Sequence, residues 1–163
     1  MASIKLKLDF DGMLEAIKDA GGDVDRAAAQ AAKECAQTMH DELVSECNAS
    51  GVPSSVSGEI EHNVTATSGG NRYEIEAGWK MGAYDPSNPS AGYKAVFLNY
   101  GTPKGPRKAK KKTHVPYGGA WVTTANRGQI VGRGFIDRAK KGAKKKIKKV
   151  QKEALQKMLE ELK

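Results

Sequence analysis

Aromatic side chains make up only 6% of this 163-residue sequence, cysteines number two and histidines three. No apolar run approaches the roughly 20 residues needed to span a bilayer, so no membrane partner is expected. The opening stretch MASIKLKLDFDGM alternates and carries early acids, unlike a signal peptide, so the expectation is a soluble chain without a leader. Cys35 and Cys47 stand twelve positions apart in what reads as one helix. That is roughly 18 Å of helix rise, beyond disulfide reach. With no CxxC pair, a reducing cytoplasm is the natural compartment, and both thiols are expected to act as small buried apolar groups.

Groups that could converge on a reaction are equally scarce. His40, His62 and His114 are scattered, with no HExxH or other metal spacing. Cys35 and His40 are five positions apart, rotated by about 140° around a helix, so they diverge. GTPKGP lacks the spacing of a phosphate-binding loop, and its two prolines remove amide donors. The expectation is a protein that is not an enzyme, with no catalytic, cofactor-binding or metal-binding residues.

Charge is abundant and unevenly placed. Residues 1–100 carry 8 basic and 15 acidic side chains, a net −7, whereas residues 101–163 carry 19 and 4, a net +15, giving +8 overall. One basic face on a neutral body suits nucleic-acid binding. Halves of opposite sign suit self-association equally well, the acidic part of one copy meeting the basic part of the next.

Periodicity gives the elements. SIKLKLDF (3–10) alternates as a short strand, and Asp11 is expected to cap a helical turn running through Leu14 and Ile17 to Gly21-Gly22. From Asp23, the three- and four-residue steps of Val24, Ala28, Ala31, Cys35, Met39, Leu43 and Cys47 predict a long helix with an alanine-rich face. NASGVPSSVSG (48–58) reads as a small-residue loop, and EIEHNVTAT and NRYEIEAGW as a hairpin turning near 68–71. YKAVFLNY (93–100) is a compact apolar stretch ending at Gly101. Residues 101–134 form a long basic loop with strand-like pieces only at THVPY and AWVTTA. Ile136, Ala139, Ala143, Ile147, Val150, Ala154, Met158 and Leu162 then predict a lysine-rich helix over about 135–162. The expected fold is one α+β domain over 1–163. A small antiparallel sheet is packed by the long first-half helix and the C-terminal helix.

KGPRKAKKKTHVPYGG (104–119) packs five lysines and one arginine into sixteen positions. As a phosphate-binding element it would act without sequence preference, yet Tyr117 and Trp121 follow its lysines instead of interleaving with them. Three roles stand beside one another for Lys104, Arg107, Lys108, Lys110, Lys111 and Lys112: a protein-docking loop, a phosphate-contacting loop and an address label.

The order of elements resembles the gene-product-ten-like family of long-tailed (siphovirus) bacteriophages, whose members are neck or minor tail components. Its most specific match is Tyr93-Lys-Ala-Val-Phe97-Leu98-Asn99-Tyr100-Gly101-Thr102, similar to an aromatic-x-x-aromatic, acidic, aromatic, Gly-Thr segment, with Asn99 where an acid is commoner. Gly134-Phe135-Ile136-Asp137-Arg138-Ala139 is placed like the family's Pro-Phe-Leu-Arg-Pro-Ala opening of the last helix. Pro53 to Ile60 stands where the family has a Pro-x-x-Thr-Gly-x-Leu turn.

The resemblance implies a non-enzymatic virion protein, made in the host cytoplasm and built into the head–tail junction or tail as a ring of copies. Its partners would be head-completion, tail-terminator or tail-tube proteins, with double-stranded DNA passing through the ring. A dense lysine collar on that passage would bind phosphates and impede sliding, so the loop is expected to face a protein neighbour. Asp41, Glu42 and Glu46 are the expected acidic counter-surface, and Phe97, Tyr100 and Trp121 the apolar contacts. The alternative is a sequence-independent nucleic-acid-binding protein using the basic loop and C-terminal helix.

Overall fold

Ile4, Leu6 and Leu8 alternate with Lys5 and Lys7 to make β1 (Ser3–Asp9). The computed structural model describes residues 2–67, 71–82, 85, 87–101, 114–117, 120–123 and 131–162. The hairpin read from the sequence is present as β2 (Glu61–Ala66) and β3 (Arg72–Gly78). The sheet order is β1-β3-β2 with both pairings antiparallel, so β3 lies between a strand close to it in sequence and one far from it.

Register sorts the two faces. Ile75 pairs with both Leu6 and Val64, and Ala77 with Ile4 and His62, which puts the apolar column on one side. Lys5 lies on the other side, with its ammonium 3.0 Å from Glu76 and 3.5 Å from Glu74.

The long helix α2 (Val24–Ala49) covers the apolar side. It starts where the sequence says it should, because the Asp23 carboxylate accepts the backbone N–H of Arg26 at 3.0 Å. The C-terminal helix α5 (Phe135–Glu161) packs antiparallel on α2, with Arg138 beside Glu46 and Lys146 beside Glu42. Helix α2 is therefore enclosed from two sides. Ala27, Ala28, Ala31, Ala32 and Ala36 are all buried along it, and these small side chains let sheet and helix approach closely. The result is the expected α+β architecture.

The shorter elements depart more from expectation. Helix α1 (Glu15–Asp19) begins at Leu14 without a side-chain cap. Asp11 does not cap it. Its carboxylate instead accepts the N–H of Asn71 at 3.2 Å and lies 3.3 Å from Arg72, tying the start of the chain to β3. The small-residue loop contains a single helical turn, α3 (Ser54–Ser57), and the apolar stretch is a ten-residue helix, α4 (Ala91–Tyr100). Within the basic excursion, β4 (His114–Tyr117) and β5 (Ala120–Thr123) form an antiparallel pair. No helix among the described residues is long and apolar enough to cross a membrane.

Candidate interaction site at the base of the basic loop

Helix α5 opens at Gly134, which has no side chain to satisfy the free N–H groups of the first turn. The missing cap comes from α4. Asn99 is 2% exposed, and its Oδ1 accepts the N–H of Ile136 at 2.8 Å. Its backbone carbonyl accepts Gly134 N–H at 3.0 Å, and the Leu98 carbonyl accepts Arg133 N–H at 2.9 Å. The last carbonyls of α4 thus accept the amides that lead into α5, and the Asn99 side chain caps the helix itself.

Glycine permits the closure at two points. Gly101 turns the chain out of α4 at φ +76°, and a β-carbon on Gly132 would stand 2.7 Å from the Tyr100 carbonyl carbon. A bridge between Gly101 and Val131 completes the clasp, so the excursion leaves and returns at one place.

Two arginines fix this clasp to the end of α2. One Arg133 nitrogen donates to the carbonyls of Ser50 at 2.9 Å and Gly51 at 2.7 Å, where the free carbonyls and dipole of α2 favour a cation. The Arg138 guanidinium reaches Glu46 at 2.9 Å, Ser50 Oγ at 2.6 Å and the Arg133 carbonyl at 2.6 Å. Beside the clasp, Tyr100 and Val131 stand 62% and 75% exposed.

The expected site residues divide as follows. Tyr100 is at the clasp and Phe97 is half-buried on α4. Trp121 falls in β5, and its side chain lies outside the described residues. Lys104, Arg107, Lys108, Lys110, Lys111 and Lys112 also lie outside them. The three acids of the expected counter-surface differ in their surroundings. Glu42 pairs with Lys146, its side chain only 13% exposed, and Glu46 pairs with Arg138, so both serve the α2–α5 seam. Asp41 alone of the three is exposed. There it accepts from Gln37 at 2.8 Å and lies 3.0 Å from His40 Nδ1, a contact that holds its carboxyl below the usual range despite partial desolvation. Sequence reasoning missed Arg133, Arg138 and Ser50. The available signal was a long helix beginning at glycine, with its cap unassigned.

Elsewhere the surface offers shallow hollows. One of 510 Å³ lies between α2 and β2, lined by Lys33, Glu34, Gln37, His62, Asn63 and Val64. The His62 ring sits edge-on to His40 with centroids 5.3 Å apart. Among the described residues, no group of three or more His, Cys, Asp or Glu side chains could hold a metal ion. Cys35 and Cys47 are fully buried, and burial pushes both thiols up to about 12. Both should therefore resist iodoacetamide at pH 8 in the native protein and react together once denaturant is added. Rapid native labelling of either would contradict this packing.

No family model, no curated protein sequence and no solved structure matches the chain.

Proposed function

We propose that this chain is a non-enzymatic structural protein of a bacteriophage virion, acting as a ring of copies at the head–tail junction or tail during head–tail joining. The observation that carries the reading is the clasp. The two segments that most resemble the phage neck family, 93–102 and 134–139, are distant in sequence yet meet hydrogen bond to hydrogen bond. Asn99, at the position where that family commonly has an acid, accepts the helix N–H that an acid would accept. This supports a shared local architecture built to present the intervening loop from a rigid base.

In this reading the loop lysines dock on acidic surface of an adjoining subunit or ring, steering assembly, while apolar residues such as Tyr100 supply affinity. Heterologous contacts of this kind close into rings. With Glu42 and Glu46 engaged inside the chain, Asp41 is the remaining member of the expected counter-surface.

The test is genetic. Deleting the reading frame from the phage genome that carries it should leave filled heads and separate or defective tails by electron microscopy. Lys110, Lys111 and Lys112 changed together to Glu should give the same unjoined particles, with circular dichroism and melting temperature unchanged. Normal infectious particles without the protein would overturn the function. Normal incorporation of the triple variant would overturn the docking role of the loop.

A further inference from the structure

Helix α5 carries its charge in two ways that the sequence does not distinguish. Arg138 and Lys146 face the acids of α2 and are paired there. On the rest of the helix, Lys140, Lys144, Lys148 and Lys152 form one exposed row at four-residue steps. Lys141, Lys145 and Lys149 form a second exposed row beside it. At 100° per residue six of these seven lie on the half of the helix turned away from buried Ala139, Ala143 and Ile147, and Lys140 stands at the edge beside Ile147. Lys149 lies 3.4 Å from Glu153; among the described residues no ion pair engages the other six.

Like charges four residues apart on a helix repel, so the face carries a repulsion that a polyanion would relieve. Packing against α2 holds the rows in place, so the lysines form a fixed strip about 18 Å long from Lys140 to Lys152.

We propose that this face of α5 binds the phosphate backbone of duplex DNA without sequence preference. Three observations favour DNA over an acidic protein. First, the strip is all lysine, a residue that binds phosphate as a point charge and is depleted from the cores of protein interfaces. Second, no large apolar side chain is exposed between the rows to anchor a protein, and the one aromatic residue of α5, Phe135, is buried, leaving nothing to stack the bases of a single strand. Third, a duplex presents a phosphate about every 3.4 Å along each of two strands, whereas an extended acidic peptide carries its charges on alternating sides, roughly one per 6.6 Å toward any one face. The inference concerns residues of α5 alone and stands or falls independently of the neck reading.

Fluorescence anisotropy of the full chain with a labelled 20-base-pair duplex tests it. Micromolar binding is expected at 50 mM NaCl, falling about 10³-fold by 200 mM, with a log–log slope near −5. Changing Lys140, Lys144, Lys148 and Lys152 together to Gln should cut that slope by about 3 to 4 and weaken binding at least 100-fold at 50 mM. Because repulsion is relieved, its melting temperature should hold or rise by a few degrees, which separates lost contact from lost fold. The matching loop variant, with Lys108, Lys110, Lys111 and Lys112 changed to Gln, should keep most of the slope. Undetectable binding at 50 mM, binding that the helix variant retains, or binding that only the loop variant abolishes would overturn the proposal. So would poly-glutamate of equal total charge displacing the duplex more strongly than unlabelled duplex does, which would assign the face to an acidic protein.

Discussion

Phe135→Ala is expected to remove about 3–5 kcal/mol of folding stability. Phe135 is fully buried at the first turn of α5, and its ring meets Trp79 edge-on, 6.2 Å between centroids at 76°. Trp79 is fixed in turn by its indole N–H, which donates to the Val56 carbonyl at 2.6 Å. One phenyl ring therefore joins α5, the end of the sheet and α3. Truncation loses its transfer energy and opens a cavity between parts that cannot all collapse inward. A domain of this size is stable by about 5–15 kcal/mol, so the melting temperature should fall by roughly 6–20 °C. Phe135→Leu, which keeps most of the volume, should cost less than about 1.5 kcal/mol. Urea unfolding followed by circular dichroism measures both. A loss below about 1 kcal/mol for the alanine variant would mean that α5 does not close over Trp79.

A second pair of substitutions reads the clasp. Asn99→Ala leaves the Ile136 N–H without its acceptor in a buried place, and should cost about 1–2 kcal/mol. Asn99→Asp is expected to act in the opposite direction. The Asn99 amide nitrogen is buried and finds no hydrogen-bond partner among the described residues, so the present side chain satisfies only half of itself. A carboxylate keeps the cap and removes the orphaned donor, and its negative charge at the positive end of α5 offsets the cost of a buried oxygen without a donor. At neutral pH the aspartate variant should match or exceed the parent in thermal stability, while the alanine variant falls below it. Limited proteolysis supplies a second readout: cleavage near Gly101 and Val131 should accelerate in the alanine variant only. An aspartate variant as weak as the alanine one would show that the cap is not what Asn99 contributes.

The strand SIKLKLDF, the long helix from Asp23 and the helix from Phe135 were all legible because each carries a period its neighbours reinforce. An alternation of two or a step of three to four is a local property of the chain. The Asp23 cap is local in the same sense, its donor lying three residues on, although periodicity marked only where the helix starts. YKAVFLNY was not legible as a helix. It is apolar nearly all round, so no stripe marks a period, and its aromatic and β-branched residues fit a strand as well. Asp11 was misread because two sets of donors were possible for one carboxylate, and Asn71 and Arg72, about sixty residues on, were the better placed.

From its sequence alone this chain is an α+β protein with an acidic first part, a basic second part and a lysine-rich loop between glycine turns. Which charges are free was decided only by the fold. Glu42 and Glu46 look available along α2, yet antiparallel packing sets them against Lys146 and Arg138, while the lysines one half-turn away are left facing water. The placing of β1 beside β3, the burial of alanines on two sides of α2 and the capping of α5 by Asn99 were settled in the same way. Each depends on which surfaces meet across long stretches of chain. A residue's periodicity fixes the face it occupies, but its partner is fixed by packing, and periodicity carries no record of that.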